Sequence, residues 1–314
     1  MLLLNAEETR AALPFRPLVE ALRAMFASGC EMPVRHHHEI KVPGDVDATL
    51  LLMPAWLSGQ FLGVKIATVF PGNASRGKAA VNASYVLMSA ASGETLALID
   101  GSELTARRTA AASALAADCL ARRDASHLLI AGTGRMALNL VEAHASVRPI
   151  SKVSVWGRDG AKAQSVADAA SALGFEAGAV SDMASACASA DIISCATLSR
   201  EPLVRGEWLR PGVHIDLVGA FKRDMRESDD AAVKRASVFV DTRAGATKEA
   251  GDIVMAIASG ALSASAIKAD LFELTRGQHG GRENDNEITL FKSVGAALED
   301  LAGAVLAYRS KTKG

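Results

Sequence analysis

The feature that most constrains the fold of this chain is a glycine-containing turn between an apolar segment and a helix-like segment. Residues 127–131 (HLLIA) predict a short buried strand, GTGRMA follows at 132–137, and good helix formers come next. The order strand, G-x-G-x-x-[GA], helix is typical of the Rossmann dinucleotide-binding turn. An ordinary βα turn is the alternative, because small residues recur throughout an alanine-rich chain. A second strand-like run, KVSVW, follows about twenty residues later and favours the Rossmann interpretation.

Each small residue of this turn has its own physical role. Gly132 permits the tight turn, Gly134 lets the backbone approach a pyrophosphate, and Ala137 allows close packing of helix on strand. The helix N-terminus adds amide donors and a partial positive charge. The turn residues that we assign to the cofactor are Gly132, Thr133, Gly134, Arg135, Met136 and Ala137.

The end of the second strand indicates which dinucleotide binds. NAD sites usually place an acidic residue there, which accepts a hydrogen bond from the ribose 2′-hydroxyl. This strand is followed instead by Gly157-Arg158-Asp159, and a guanidinium can grip a 2′-phosphate bidentately. We therefore expect NADPH, with NADH as the alternative because Asp159 could still serve the ribose. The remaining positions that we assign to the cofactor are Gly157, Arg158, Thr197, Val218 and Gly219.

Strand-like and helix-like segments alternate from residue 127 onward, which predicts βαβ units and a parallel sheet. The earlier part differs: a helix is predicted over 7–28, strands over 50–54, 63–70 and 80–89, and a helix in the alanine-rich run after residue 101. Residues 287–314 read as one long amphipathic helix that packs back on this first part. The predicted fold is α/β, with a Rossmann-type domain (116–287) inserted in a discontinuous α+β domain (1–115 plus 288–314).

Composition excludes several functional classes. Lys and Arg total 34 against 35 Asp and Glu, so the net charge of −1 gives no case for binding nucleic acid or an acidic membrane. The most apolar stretch, 50–70, is interrupted by Pro54, Gly59, Gln60 and Lys65, so no membrane span is expected. The N-terminus lacks the basic region of a signal peptide, and the four cysteines form no C-x-x-C pair. We expect a cytoplasmic protein with reduced thiols.

Lys65 is a candidate site residue because it interrupts an otherwise apolar strand. A buried ammonium is costly unless it meets an anion, which suggests a function, although a lysine that reaches solvent at a strand edge is the alternative. His36-His37-His38 point to alternate faces of a strand and cannot all bind one ion, so no metal is predicted. One of these histidines, such as His37, could line a substrate site.

Two acidic pairs also need an interpretation. Asp229-Asp230 is read as charge at the start of a helix, and Glu299-Asp300 as charge on a helix surface, rather than as catalytic dyads.

Four runs occur in the order LTARRTAAASALAA, GTGRMA, VHIDLVGA and EITLFKSVGAALEDL. Together they resemble the ornithine cyclodeaminase/mu-crystallin family over essentially the whole chain. The resemblance implies a homodimer built through the discontinuous domain, with the substrate carboxylate held by basic residues of that domain. The matching positions in this sequence are Arg35, Lys65 and Arg108.

One departure from the family pattern indicates the branch. Where ornithine cyclodeaminases carry an Asp that binds the substrate amine and activates water, this sequence has Phe221, which can do neither. The run GAFKRDMRE (219–227) resembles the Δ1-pyrroline-2-carboxylate (ketimine) reductase branch. The resemblance implies NADPH-dependent reduction of Δ1-pyrroline-2-carboxylate to proline and, with a six-membered ring, Δ1-piperideine-2-carboxylate to pipecolate. The rivals are an alanine dehydrogenase, an ornithine cyclodeaminase and a mu-crystallin-like binding protein.

Overall fold

The computed structural model describes residues 1–312, with every side chain except that of Ala74. The chain divides into two compact units. Unit 1 is Met1–Arg108 together with the chain from Ala297 onward, and unit 2 is Thr109–Ala296. Unit 2 is therefore inserted in the sequence of unit 1, which confirms the predicted architecture. The observed limits differ from the expected ones because only the first part of the alanine-rich helix belongs to unit 1 and residues 288–296 belong to unit 2.

The strands are β1 (Leu2–Leu4), β2 (His36–Ile40), β3 (Ala48–Leu57), β4 (Phe61–Val69), β5 (Val81–Ser89), β6 (Thr95–Asp100), β7 (His127–Ala131), β8 (Lys152–Trp156), β9 (Glu176–Val180), β10 (Ile192–Cys195), β11 (His214–Leu217), β12 (Ser237–Val240), β13 (Ala269–Asp270) and β14 (Thr289–Lys292). The helices are α1 (Ala6–Ala12), α2 (Phe15–Ser28), α3 (Gly101–Leu120), α4 (Met136–Ala145), α5 (Gly160–Ala172), α6 (Met183–Ser189), α7 (Asp230–Arg235), α8 (Arg243–Glu249), α9 (Gly251–Ala258), α10 (Leu271–Thr275) and α11 (Ala297–Thr312). None of the helices in the described residues combines the length and the apolarity needed to cross a membrane.

Unit 1 is built on a six-stranded sheet in the order β1-β6-β5-β4-β3-β2. Strands β2 to β6 form an antiparallel meander, and β1 pairs parallel to β6. Helix α11 packs on β3 and β4 and against α2. Since side chains alternate between the faces of a strand, every second residue of β4, including Lys65, points into the face that α11 covers.

The opposite face of this sheet carries a row of apolar side chains. Leu3, Leu98, Val86, Val64 and Pro54 are directly opposite one another in register across five adjacent strands. Leu3 and Leu98 are exposed, and the other three are only half-buried. A contiguous exposed apolar surface of this kind is typical of a protein–protein interface.

Unit 2 is an eight-stranded parallel sheet in the order β13-β12-β14-β11-β10-β7-β8-β9. The predicted strands β7, β8, β10, β11 and β12 are confirmed. Chain order reverses between β7 and β10, and a sheet of this topology binds its ligand at the carboxyl ends of the strands beside that switch point.

Two sequence predictions are wrong in detail. The helix expected over 7–28 is interrupted at Leu13 and Pro14, because the residue before a proline disfavours the helical conformation and Pro14 caps α2 instead. The helix expected over 287–314 begins only at Ala297, because Thr289–Lys292 form strand β14, fully buried between β11 and β12.

Candidate functional site

The glycine turn of unit 2 has the geometry that a dinucleotide requires. Gly132 has a φ of +125°, and a Cβ there would lie 2.7 Å from the carbonyl oxygen of Ala196, so only glycine fits. A Cβ at Gly134 would meet nothing within 4 Å, which leaves open space beside the backbone. Helix α4 begins directly afterwards, with Arg135 as its N-cap residue. The turn therefore offers an open backbone surface and a helix N-terminus, the combination that binds phosphate.

A cleft of about 930 Å³ lies at the carboxyl edge of the sheet. Predicted cofactor residues line it: Gly132, Thr133, Gly157, Arg158 and Thr197. Of the other predicted residues, Gly134, Arg135, Met136 and Ala137 carry the chain from the turn into α4, and Val218 and Gly219 follow β11 at the same edge of the sheet. Lys162 and Arg200 also line the cleft, as do Asp159 and Glu201, so basic side chains outnumber acidic ones in its wall by three to two.

Arg158 and Asp159 differ in their availability to a ligand. Asp159 caps α5, and its Oδ1 accepts hydrogen bonds from the amides of Ala161 (3.0 Å) and Lys162 (3.2 Å). Arg158 is exposed in the cleft, and its guanidinium has no side-chain partner within residues 1–312. The cation at this strand end is therefore free to meet an anion, whereas the carboxylate is already engaged.

Unit 1 brings together two of the predicted substrate residues, Lys65 on β4 and Arg108 on α3. Lys65 is 4% exposed and Arg108 5% exposed, which excludes the strand-edge alternative for Lys65. Lys65 Nζ lies 2.7 Å from Asp300 Oδ2, Arg108 Nε donates to Asp300 Oδ1 at 3.0 Å, and Arg108 Nη1 donates to Glu299 Oε2 at 2.5 Å. We call Lys65, Arg108, Glu299 and Asp300 the clamp cluster.

Glu299 and Asp300 are members of the clamp cluster that the sequence interpretation missed. Both are fully buried on α11, so their assignment to a helix surface is wrong. They are buried because Lys65 and Arg108 neutralise them. The signal available in the sequence was their place in the first part of this helix, 297–307, which is otherwise apolar and rich in alanine. The other pair behaves as expected: Asp229 caps α7, and Asp230 lies in its first turn.

The environment changes the proton affinity of these groups in opposite directions. Burial lowers the pKa of Lys65 to about 8, against the attraction of Asp300. Burial acts to lower the pKa of Arg108, but Asp300 and Glu299 outweigh it, so its pKa is raised. Burial acts to raise the pKa of Asp300, but Arg108 and Lys65 hold it below its usual range. The clamp cluster pairs two basic side chains with two carboxyl groups, so its formal charges balance.

The other two predicted substrate residues lie at the edge of the same sheet. Arg35 is half-buried just before β2, and His37 is exposed on β2. His37 pairs with Leu51, and Leu51 with Ala67, so His37 is on the same sheet face as Lys65 but two strands away. The structure thus does not bring His37 into the clamp cluster. His36 and His38 share the opposite face, with ring centroids 6.3 Å apart. Among the described residues no group of three or more His, Cys, Asp or Glu side chains is placed to hold a metal.

The parallel sheet, the glycine turn and the basic cleft define a Rossmann-type dinucleotide-binding protein. The sequence matches the model of the ornithine cyclodeaminase/mu-crystallin family over residues 5–314, and the chain belongs to this family.

Several relatives are Δ1-pyrroline-2-carboxylate reductases, the branch that the motif at 219–227 indicated. The Δ1-pyrroline-2-carboxylate reductase of Paracoccus denitrificans is 40% identical over 299 residues, which cover 95% of this chain and 93% of the relative. The solved structure of the Thermococcus litoralis Δ1-pyrroline-2-carboxylate reductase, in complex with NADH and L-proline, has 35% identity and a TM-score of 0.92, covering 100% of this chain and 98% of that one. An archaeal alanine dehydrogenase dimer with bound NAD has 29% identity and a TM-score of 0.90, covering 100% and 96%.

Proposed function

We propose that this chain reduces cyclic ketimines with NADPH, converting Δ1-pyrroline-2-carboxylate to L-proline and Δ1-piperideine-2-carboxylate to L-pipecolate. The observation that carries the proposal is the clamp cluster, in a chain 35% identical over its full length to a reductase solved with L-proline. These substrates share a carboxylate next to the imine carbon. Ammonium and guanidinium groups in a desolvated place are the groups that bind a carboxylate most strongly.

Charge balance explains why the proposed clamp needs a third cation. Without substrate the clamp cluster is neutral, because Lys65 and Arg108 are matched by Asp300 and Glu299. A substrate carboxylate would leave one negative charge in excess, which a buried site disfavours. Arg35, half-buried at the end of the same sheet, supplies the compensating charge in this proposal.

The reduction requires one hydride at the imine carbon and one proton at the imine nitrogen. When bound, the reduced nicotinamide supplies the hydride. The chain must hold the substrate by its carboxylate and deliver the proton, for which Lys65, His37 and water are the candidates. Lys65 is favoured because its pKa of about 8 makes the ammonium a better acid than an ordinary lysine near neutral pH.

The proposed preference for NADPH rests on Arg158. Its guanidinium lies free in the cleft at the end of β8, with Lys162 close by, while Asp159 is engaged as a helix cap. A 2′-phosphate would pair with Arg158 bidentately. NADH remains the second candidate, because the Thermococcus litoralis structure contains it.

The rival activities are distinguishable by substrate. The likeness to the alanine dehydrogenase dimer favours reductive amination of pyruvate as the second candidate. Phe221 is 46% exposed at the carboxyl edge of the sheet and offers no carboxylate to activate water, which disfavours the cyclodeaminase.

The experiment that tests the proposal measures the oxidation of NADPH and of NADH with a panel of substrates. Oxidation is followed as the loss of absorbance by the reduced nicotinamide. The panel contains pyrroline-2-carboxylate, piperideine-2-carboxylate and pyruvate with ammonia, and ornithine with NAD is assayed for ammonia release. We expect turnover of the two cyclic imines. Turnover of pyruvate with ammonia alone would replace the proposal with the alanine dehydrogenase.

We also propose that two copies of the chain associate through the open face of the unit 1 sheet. The apolar row of Leu3, Leu98, Val86, Val64 and Pro54 runs across five strands and would be buried by a second copy of itself in a twofold dimer. The archaeal alanine dehydrogenase to which this chain is similar is itself a dimer.

A further inference from the structure

Unit 2 contains a second buried group of charges that the proposed reaction does not use. Glu227, Asp252 and Lys292 are fully buried near the carboxyl edge of the parallel sheet. Glu227 precedes α7, Asp252 lies on α9, and Lys292 is the last residue of β14. We call these three residues the buried brace.

Glu227 holds the turn that follows β10. Its Oε1 accepts hydrogen bonds from the backbone N–H of Thr197 at 2.6 Å and from Thr197 Oγ1 at 2.7 Å. Thr197 lines the cofactor cleft, so one carboxylate oxygen fixes both the backbone and the side chain of a residue in the cleft wall.

Lys292 holds the turn that follows β11. Its ammonium donates to the carbonyl oxygen of Gly219 and lies 3.5 Å from Asp252 Oδ2. Asp252 Oδ1 accepts from the backbone amides of Glu227 (2.8 Å) and Ser228 (2.9 Å), which connects the lysine to the segment that carries Glu227. The turns that follow β10 and β11 are therefore connected by one buried network of hydrogen bonds and ion pairs.

The network also fixes the space between these turns and the glycine turn. A Cβ on Gly219 would lie 1.9 Å from the carbonyl oxygen of Thr197 and 2.5 Å from Glu227 Oε1, so the segments are in direct contact. A Cβ on Gly132 would lie 3.3 Å from Thr197 Cγ2, so Thr197 also borders the glycine turn. Any shift of Thr197 would change the width of the cleft at this point.

Strand order indicates which part of the cofactor these turns face. In a doubly wound sheet each half binds one mononucleotide: β7, β8 and β9 form the half with the glycine turn and Arg158, and β10, β11 and β14 form the other. If the first half binds the adenosine 2′-phosphate, as proposed above, the second half receives the nicotinamide.

We propose that Glu227 and Lys292, joined through Asp252, are positioning residues that hold the turns at Thr197 and Gly219 in the shape that binds the nicotinamide half of the cofactor. This inference rests on the proposed dinucleotide site but not on the identity of the imine substrate. Buried ion pairs add little to stability compared with apolar residues of the same size, so their presence behind a ligand site is consistent with a role in orienting it.

The test compares a dinucleotide with its own adenosine fragment by isothermal titration calorimetry. NADH is paired with AMP, and NADPH with adenosine 2′,5′-bisphosphate; each fragment lacks the whole nicotinamide mononucleotide half. The proteins are wild type, Glu227→Ala, Glu227→Gln and the matched control Glu176→Ala, which alters an exposed glutamate of the same unit. Binding alone is measured, so failure of the chain to reduce imines would leave this comparison intact.

Glu227→Ala removes both acceptor contacts to Thr197, and we expect it to weaken the dinucleotides by about tenfold or more. The fragments should bind within about threefold of wild type, because their half of the sheet is unchanged. Glu227→Gln keeps an acceptor oxygen and should restore dinucleotide binding to within about threefold. If Glu227→Ala does not fold, Glu227→Asp takes its place, since the shorter side chain withdraws the acceptor while keeping the charge. Equal weakening of fragments and dinucleotides, or unchanged dinucleotide binding, would overturn the assignment, as would a Gln variant as weak as the Ala variant.

Discussion

Replacing Lys65 with methionine tests the clamp cluster for both stability and catalysis. The change keeps the length of the side chain but removes the ammonium that lies 2.7 Å from Asp300, and both groups are buried. Removing one partner of a buried pair typically costs about 3–5 kcal/mol in the free energy of unfolding. Arg108 still compensates Asp300 at 3.0 Å, so we expect the lower end, about 3 kcal/mol, or a fall in Tm of roughly 6–12 °C.

A double variant separates the structural effect from the catalytic one. In Lys65→Met/Asp300→Asn the remaining charges, Arg108 and Glu299, balance again, so we expect most of the lost stability to return. Catalysis should not return, because the ammonium that is proposed to bind the substrate carboxylate is still missing. For both variants kcat/KM on pyrroline-2-carboxylate should fall by roughly 30-fold to several thousand-fold, equivalent to about 2–5 kcal/mol.

The measurements are urea denaturation, thermal unfolding and steady-state kinetics on the single variants, the double variant and the control Lys78→Met. Lys78 is an exposed lysine of unit 1, and its replacement should change stability by less than about 0.5 kcal/mol. A Lys65→Met protein as stable as wild type would refute the ion-pair reasoning. Kinetics within about threefold of wild type, well under ~1 kcal/mol, would remove Lys65 from the substrate site.

Three further predictions address the cofactor, the dimer and the pH dependence of stability. Arg158→Ala should raise the KM for NADPH by about tenfold or more and leave NADH kinetics unchanged. The control Arg123→Ala, at an exposed arginine of the same unit, should change the KM of neither cofactor. Equal losses with both cofactors would contradict the role of Arg158 in binding the 2′-phosphate. Leu98→Lys, in the apolar row, should convert the proposed dimer to a monomer, as measured by sedimentation velocity. The control Leu173→Lys, at an exposed leucine of unit 2, should leave the dimer intact. A Leu98→Lys protein that still sediments as a dimer would show that the interface lies elsewhere. Burial lowers the pKa of His214 to about 3, so folding favours the neutral form, and its contribution to stability is present above about pH 6.5 and is lost as pH falls. Measured by urea denaturation, the stability of wild type relative to His214→Leu should therefore fall by about 1.4 kcal/mol per pH unit between pH 6 and 4, and a constant difference would show that His214 is protonated in the folded state.

The sequence correctly predicted the elements that can be recognised from a few consecutive residues. The glycine turn, β7 and β8 were recognised because a strand, a turn and a helix in sequence leave both composition and spacing as evidence. Strand β14 was assigned to a helix, because a run of four residues such as TLFK is too short to show a strand period. The break at Pro14 had a local signal in the proline itself, and the helical spacing of the neighbouring leucines concealed it.

The charged residues of the clamp cluster show why part of the site escaped prediction. Lys65 was singled out because a lysine in an apolar strand is conspicuous within its own segment. The burial of Asp300 depends on Arg108, which is 192 residues away in the chain, and no local pattern reports a contact of that range. An acidic residue on an amphipathic helix is exposed in most cases. As long as the basic partners of Asp300 are unknown, an exposed side chain is therefore the reasonable expectation.

The clamp cluster and the buried brace can be explained by the same physical argument. Each contains side chains that would be more stable in water, and each lies behind or among residues assigned to a ligand: Lys65 and Arg108 in unit 1, and Thr197 and Gly219 in unit 2. Apolar side chains could fill the same volume without the cost of desolvating charges, but they impose no direction on their neighbours. A hydrogen-bonded carboxylate does impose one, because its acceptor oxygens fix the position of each donor within a few tenths of an ångström. Precision of that order is what holding a carboxylate and a nicotinamide in reacting positions demands, so the cost of burying these charges is expected where a ligand must be oriented rather than where the fold alone must be stabilised.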